Sequence, residues 1–339
     1  MNVLIVDDSA FMRKVITDFV KKISCVKNVD LAHDGQEAFE KIKVNNNIDL
    51  VLMDVEMPVM DGLTALKKIK NFQRNLPIVM LSALNNRQVT IEALEAGAAD
   101  FIEKPVNLLN ISQDWVADFK AKILMVGDKK NQLQSMAQDS TDKAPTSINS
   151  RPMPRMINAL VIGASTGGPK TLLEIIRNLP PVLRIPIFIV QHMPKGFTAS
   201  FAQRMNSETA CTVVEAKDGM PIQRQVYLCP GDYHMTLETG KIKLNQLPKL
   251  HGTRPAVDYL FMSAAEVYRA NLVAVLLTGM GSDGAKGMAE IQRLGGYNIV
   301  ENEESCVIFG MPGSAIELGV VNEVLSLTTI KKRINQITR

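Results

Sequence analysis

The sequence predicts two α/β domains, each a doubly wound parallel sheet, joined by a flexible tether. Three observations predict it. Short apolar runs alternate with amphipathic helical stretches in both halves. Acids, hydroxyls and glycines gather just after those runs, where such sheets build ligand sites. Between the halves, Gly127 to Arg155 holds no aromatic residue and is rich in Lys, Gln, Asp, Ser, Thr, Asn and Pro. That composition cannot bury a core. The expected limits are 1–125, 126–156 and 157–339, and 339 residues suffice for two domains.

The first half opens with the apolar run Val3–Val6, which stops at Asp7-Asp8-Ser9. Phe11, Val15, Ile16, Phe19 and Val20 then fall at helical spacing. Further strands are expected at Val29–Ala32, Leu50–Met53, Ile78–Leu81 and Asp100–Ile102, and helices at Gly35–Lys43, Leu63–Lys70, Arg87–Ala96 and Val106–Leu124. Asp7 and Asp8 end the first strand, Asp54 the third, Ser82 the fourth and Lys104-Pro105 the fifth. Taken singly, each Asp is an ordinary turn or cap residue, as Asp8 or Asp34 would be. Together, three acids at one sheet edge repel and call for a divalent cation such as Mg²⁺, which favours oxygen ligands. A carboxylate beside Mg²⁺ and a lysine can accept a phosphoryl group.

Asp7-Asp8, Met53-Asp54-Val55-Glu56-Met57-Pro58 with Asp61-Gly62, Ser82-Ala83 and Lys104-Pro105 resemble the receiver domain of two-component response regulators. The resemblance covers the first third of the chain. It implies a flavodoxin-like fold with Asp54 as phospho-acceptor. It also implies Asp7, Asp8 and Asp54 as the Mg²⁺ site, Lys104 as the phosphate partner, and Ser82 with Phe101 as a switch pair. In the tether, a helix running on to about Ala137 is compatible with the sequence. Pro145, Pro152 and Pro154 favour extended chain beyond it.

The second half opens with the apolar run Ala159–Ile162, followed by Gly163-Ala-Ser165-Thr-Gly167-Gly-Pro169. Gly-x-Ser-x-Gly is the strand-to-helix turn that lifts a serine hydroxyl above a sheet. A phosphate-cradling glycine loop, or a plain turn, fits the local pattern equally well. A helix over Thr171–Leu179 and a strand over Ile185–Gln191 follow, the strand ending in Gln191-His192-Met193-Pro194. Another helix begins near Phe197. Cys211–Glu215, Gln225–Cys229, Tyr233–Glu238 and Lys241–Asn245 read as short strands, the last two forming a hairpin about Thr239-Gly240. Arg254-Pro255 is expected to start a helix with proline in its first turn. The strand Leu272–Leu277 runs into the glycine-dense loop Thr278-Gly-Met280-Gly-Ser-Asp283-Gly284.

Ser165, His192 and Asp283 thus come from three strand ends of one sheet. A serine nucleophile needs an adjacent base, and imidazole can take and return the proton. A carboxylate fixes the ring's tautomer. The chain order Ser, His, Asp differs from the Ser, Asp, His order of α/β-hydrolases, so that fold is not expected. His234, in the Pro-Gly-Asp-Tyr-His turn, is the alternative base. His33 lies in the other half, and His251 reads as solvated. Asp258 and Asp232 read as capping or surface residues.

Ile162-Gly-Ala-Ser165-Thr-Gly-Gly-Pro169, Gln191-His192-Met193-Pro194, Pro230-Gly-Asp-Tyr-His234, Arg254-Pro255-Ala256-Val257-Asp258 and Leu277-Thr-Gly-Met280-Gly-Ser-Asp283-Gly resemble the catalytic domain of chemotaxis methylesterases, the CheB family. With the receiver, this covers the full family architecture and implies a Rossmann-like second domain with a β-hairpin insertion. The implied roles are Ser165 nucleophile, His192 base and Asp283 orienter, with Thr166 and Met280 as oxyanion donors. Ser282 and Ala256 depart from the family's usual Asn and Ser and alter none of these roles.

The resemblance implies a hydrolase that demethylates glutamyl methyl esters on chemoreceptors, releases methanol, and deamidates receptor glutamines. It implies methyl-accepting chemotaxis receptors as substrate, the chemotaxis histidine kinase CheA as phosphodonor, Mg²⁺ in the receiver and no cofactor in the esterase site. The expected regulation has the unphosphorylated receiver covering the Ser165 edge and Asp54 phosphorylation loosening it. Two other readings are a receiver-controlled phosphate-binding module and a hydrolase of small soluble esters.

Composition narrows the classes. A net charge of +3 and 5% aromatic residues give no basic face and no base-stacking platform, so nucleic acid is not expected. Cys25, Cys211, Cys229 and Cys306 form no Cys-x-x-Cys pair, which suggests buried reduced thiols in a cytosolic protein. No apolar run is long enough to cross a bilayer, so membrane association is expected only through receptors. Asp7-Asp8 interrupt the N-terminal apolar stretch, so export is not expected.

Overall fold

The computed structural model describes residues 1–83, 86–105, 111–127 and 151–339. The chain divides into two compact units between residues 142 and 143, inside the expected tether. The expected helical extension to Ala137, and Pro145, lie outside the described residues. Pro152 and Pro154 sit in chain without regular structure.

In the first unit, β1 (Asn2–Val6), β2 (Asn28–Ala32), β3 (Leu50–Asp54), β4 (Ile78–Ser82) and β5 (Asp100–Glu103) form one sheet. Its order is β2-β1-β3-β4-β5 and every pairing is parallel. This is the flavodoxin-like order, with the switch point beside β1 and β3. The helices are α1 (Ala10–Val20), α2 (Gly35–Val44), α3 (Gly62–Phe72), α4 (Arg87–Glu95) and α5 (Gln113–Gly127). Side-chain caps fix several starts. Ser9 accepts from Met12 N–H, Asp34 from Gln36 and Glu37 N–H, and Asp61 from Thr64 N–H. The cap of α1 is therefore Ser9, not Asp8. The fifth helix was expected from Val106. It starts at Gln113, because Ser112 accepts from Trp115 N–H (3.2 Å) and from Val116 N–H (3.2 Å), capping it later. Residues 106–110 lie outside the described set.

The second unit holds a seven-stranded sheet of order β14-β13-β12-β6-β7-β9-β8, parallel throughout. Its strands are β6 (Ala159–Ala164), β7 (Ile187–Gln191), β8 (Val213–Glu215), β9 (Val226–Leu228), β12 (Leu272–Leu276), β13 (Tyr297–Glu301) and β14 (Glu323–Leu325). A separate antiparallel hairpin pairs β10 (His234–Glu238) with β11 (Lys241–Asn245). The helices are α6 (Gly168–Ile176), α7 (Phe197–Ser207), α8 (Val257–Tyr268), α9 (Ala285–Arg293), α10 (Gly310–Glu317) and α11 (Leu327–Thr338). Beyond Gly284 the sequence carries less pattern. There β13 pairs with β12 and β14 extends the edge.

Chain order reverses between β12 and β6, which sit side by side at the centre. Open α/β sheets bind ligands at that point, beyond the strands' carboxyl ends. β6 and β12 are fully buried, as sheets covered on both faces require. α6 begins earlier than expected, at Gly168, with Pro169 in its first turn and Gly167 at φ +81° before it. Pro255 is not in a helix turn. The Arg254–Pro255 bond is cis, Ala256 caps α8, and the helix proper starts at Val257. No helix among the described residues is long and apolar enough to cross a membrane.

Candidate active site and acidic pocket

The carboxyl ends of β12, β6 and β7 carry the three residues singled out in the second half. Ser165 follows β6, His192 follows β7, and Asp283 lies in the loop after β12. The structure brings them together. The Ser165 hydroxyl lies 3.1 Å from His192 Nδ1, and His192 Nε2 lies 2.7 Å from Asp283 Oδ2. Asp283 is acceptor-only as a carboxylate, so the ring carries its proton on Nε2 and leaves Nδ1 bare for the serine hydroxyl. Asp283 is buried. Burial raises its carboxyl, but the His192 ring and the N–H groups of Val257 (2.7 Å) and Asp258 (2.9 Å) outweigh it. The group is held below the usual carboxylate range.

The glycines around Ser165 are required by close approach. A Cβ on Gly163 would lie 2.4 Å from Val257 Cγ1, and one on Gly279 would lie 2.8 Å from Ser165 Cβ. Val257 in turn starts the helix whose first two N–H groups hold Asp283. Ser165 N–H donates to Thr278 O (3.0 Å), tying the β6 turn to the β12 loop. Thr166 is buried beside it. Met280 N–H donates to no protein acceptor among the described residues, and Met280 is half-buried.

Two sequence readings fail here, the alternative base and the surface acid. His234 is not brought to Ser165. It is buried, Nδ1 accepts from Ala256 N–H (3.1 Å), and Nε2 faces Pro248 O (3.3 Å). Burial lowers its imidazole pKa. His251 is exposed in its loop as expected, and its Nε2 lies 2.9 Å from Asp258 Oδ2. Asp258 is not a surface residue. It is buried, and its Oδ1 accepts from Gly284 (2.9 Å) and Gly287 (2.7 Å), anchoring the start of α9 directly after Asp283. Burial, then the charge of Asp283, raise its carboxyl. Only a helical register counted back from Phe261 would have turned Asp258 inward. Asp232 is a turn residue as expected, at φ +68°, and accepts Arg254 Nε (3.0 Å) and Nη2 (2.6 Å) on Oδ1.

Sequence reading also passed over Glu301 at the end of β13. It is buried and accepts from Thr278 N–H (2.9 Å) and Ser305 Oγ–H (2.9 Å) under the glycine loop. Burial raises its carboxyl. A lone glutamate after an unread strand offers no sequence signal.

In the first unit, Asp7, Asp8 and Asp54 offer carboxylate oxygens within 4.8 Å of one another. Asp7 and Asp54 are buried and Asp8 is exposed. Lys104 Nζ bridges Asp7 Oδ2 and Asp54 Oδ2 at 2.7 Å each. Burial would lower the Lys104 ammonium, but the two carboxylates hold it above its ordinary value. Burial pushes Asp54 up to about 6, against the opposing pull of Lys104. Three carboxylates facing one ammonium, all ligands oxygen, fit a Mg²⁺ ion. Ser82 is buried, and its Oγ is 2.6 Å from Thr90 Oγ1 on α4. Phe101 is buried, with Lys122 Nζ 5.4 Å from its ring centre. Among the cysteines, Cys211, Cys229 and Cys306 are buried as expected, but Cys25 is exposed; all four are free thiols.

Comparisons with known proteins agree with the two-domain fold. Residues 160–334 match the family model described as CheB methylesterase, and residues 3–114 match the response regulator receiver domain. The chain is 38% identical over 350 residues to a protein of Clostridium acetobutylicum named protein-glutamate methylesterase/protein-glutamine glutaminase. That match covers 100% of this chain and 98% of the relative. A protein of the same name from Methanococcus maripaludis is 41% identical, over 96% of this chain and 94% of its own. The crystal structure of the Thermotoga maritima CheB methylesterase catalytic domain superposes with a TM-score of 0.52 and 44% identity. It covers 54% of this chain and 99% of that one.

Proposed function

The chain belongs to the CheB methylesterase family, with a response regulator receiver domain ahead of the catalytic half, and we propose that it is a phosphorylation-regulated protein-glutamate methylesterase and protein-glutamine glutaminase of chemotaxis. Residues 1–125 are the receiver, 126–156 the tether and 157–339 the esterase. The observation that carries the reading is the hydroxyl–imidazole–carboxylate line Ser165, His192, Asp283, with contacts of 3.1 and 2.7 Å.

The steps follow from that line. Ser165 Oγ attacks the carbonyl carbon of a glutamyl methyl ester while its proton passes to His192 Nδ1. The resulting imidazolium is held through Nε2–H by Asp283. The N–H groups of Thr166 and Met280 receive the developing oxyanion. Collapse breaks the carbon–oxygen bond to methoxide, which takes the proton from Nδ1 and leaves as methanol. Water, its proton drawn by Nδ1, then attacks the acyl-serine and frees glutamate and Ser165. A glutamine side chain follows the same path and releases ammonia.

In the receiver, Asp54 accepts the phosphoryl group, Lys104 pairs with it, and Ser82 and Phe101 form the switch. Asp7, Asp8 and Asp54 would hold Mg²⁺, which supplies neutralising charge for the phosphoryl oxygens. The substrates are the methylated cytoplasmic segments of chemoreceptors, the phosphodonor is the kinase CheA, and the protein works in the cytoplasm, reaching membranes only through receptors. Asp54 phosphorylation raises esterase turnover. The test is methanol release from methylated receptor membranes, with and without a phosphodonor plus Mg²⁺. Release that rises with the donor in the native chain, and stays at its basal level in Asp54→Asn, is expected. No release in either condition would remove the proposal.

A further inference from the structure

We propose that Gln191 is a positioning residue that aims the oxyanion-hole donors; this rests on the esterase reading above. Gln191 ends β7 and is 2% exposed. Its Nε2 donates to Ser165 O (2.9 Å) and to His192 O (3.1 Å). Gly168 N–H also donates to Ser165 O (2.8 Å). The carbonyl of the nucleophile is thereby held by two donors.

A peptide unit is planar, and in the trans form its C=O and N–H point in opposite directions. Fixing the Ser165 carbonyl therefore fixes the direction of Thr166 N–H. The second donor is built the same way. Gly279 O accepts from Gly310 N–H (3.0 Å) and Met311 N–H (2.9 Å), which sets the direction of Met280 N–H. Oxyanion holes gain their effect from donors already aimed before charge develops, so holding each carbonyl twice matches what the chemistry needs. Of the four groups doing the holding, Gln191 Nε2 is the one that a side-chain substitution deletes without touching the backbone.

Gln191 Oε1 is buried and accepts no hydrogen bond among the described residues. Methionine of the same length removes Oε1 together with both Nε2 hydrogen bonds, so folding is measured alongside turnover. Gly168 makes room for the amide, since a Cβ there would lie 2.1 Å from Oε1. The competing role is seating the base, because the same Nε2 touches His192 O.

The experiment compares the full-length native chain with Gln191→Met, normalised to the number of Ser165 sites that react to completion with a phosphonate. Expected is a loss of about 10- to 100-fold in kcat with KM nearly unchanged, the oxyanion donors being misaimed rather than deleted. Affinity for an alkylboronic acid, whose Ser165 adduct is tetrahedral, should fall by the same factor as kcat/KM. The acid limb of the kcat profile should not move. Unchanged kcat, or a loss with boronate affinity retained, overturns the proposal. A shifted acid limb with boronate affinity retained assigns Gln191 to the base instead. If Gln191→Met does not fold, Gln191→Leu, which also deletes Nε2 without touching the backbone, must give the same paired loss of kcat and boronate affinity or the proposal fails. A native chain without ester turnover or a Ser165 adduct would refute the esterase reading itself, whereas an active native chain with an unimpaired Gln191→Met refutes only this inference.

Discussion

Asp283→Asn is the substitution whose outcome the site geometry constrains most. Asp283 Oδ2 accepts from both His192 Nε2 (2.7 Å) and Val257 N–H (2.7 Å), and Oδ1 accepts from Asp258 N–H (2.9 Å). An amide has one acceptor oxygen, so either orientation sets an NH₂ against a donor. With the amide oxygen at the Oδ2 position, the NH₂ opposes Asp258 N–H. With it at Oδ1, the NH₂ opposes Val257 N–H and donates to His192 Nε2. That second orientation forces the ring proton onto Nδ1, opposite the Ser165 hydroxyl, and the base is lost. Both orientations remove the negative charge that stabilises the imidazolium. At an effective dielectric near 20, a charge pair about 4 Å apart is worth about 4 kcal/mol, which is about three decades in rate. Losing the tautomer as well raises the expected fall in kcat to about 10⁴-fold. The assay is methanol release per folded chain, with KM measured alongside and folding checked by thermal unfolding. A folded Asp283→Asn that keeps kcat within about tenfold of the native chain would refute the tautomer reasoning.

Three further outcomes are expected. The stability lost in Asp283→Asn should depend on pH: the folded carboxyl lies below its ordinary value of 3.8, so its contribution is complete above that pH and disappears as pH falls through the folded value. Urea unfolding of both chains at pH 7 and below pH 3.8 would show the gap shrinking, and a constant gap would contradict the assignment. Gly163→Ala places a Cβ 2.4 Å from Val257 Cγ1, so it should cost about 1–3 kcal/mol and lower kcat by disturbing the Val257 contact to Asp283, read by urea unfolding and by turnover. Thiol titration should find one reactive cysteine, Cys25, in the native chain and four after unfolding, and a second fast-reacting thiol would contradict the burial of Cys211, Cys229 and Cys306.

Much of the fold was legible because parallel sheets write themselves as apolar runs closed by polar residues. Val3–Val6 ends at Asp7 and Ile187–Gln191 at His192, so strand ends and functional residues coincide in sequence. The hairpin of β10 and β11 was legible from Thr239-Gly240. What escaped depended on tertiary context. The start of α5 after Ser112 is set by a side-chain cap, which apolar spacing does not reveal. Strands β13 and β14 lie beyond the glycine loop, where short runs such as Glu323–Leu325 carry little pattern of their own. Asp258 sits one residue into a helix, where an acid is normally favoured by the dipole. Here two glycine N–H groups and His251 draw it inside. Gln191 was visible beside His192, but the carbonyl it holds belongs to a residue 26 positions away.

The most direct measurement is mass-spectrometric mapping of an organophosphonate adduct on the native, full-length chain, with methanol release followed in the same sample. The adduct should fall on Ser165, turnover should stop in proportion to its occupancy, and His192→Ala should slow its formation by orders of magnitude. Full occupancy of Ser165 with methanol release undiminished would contradict the account.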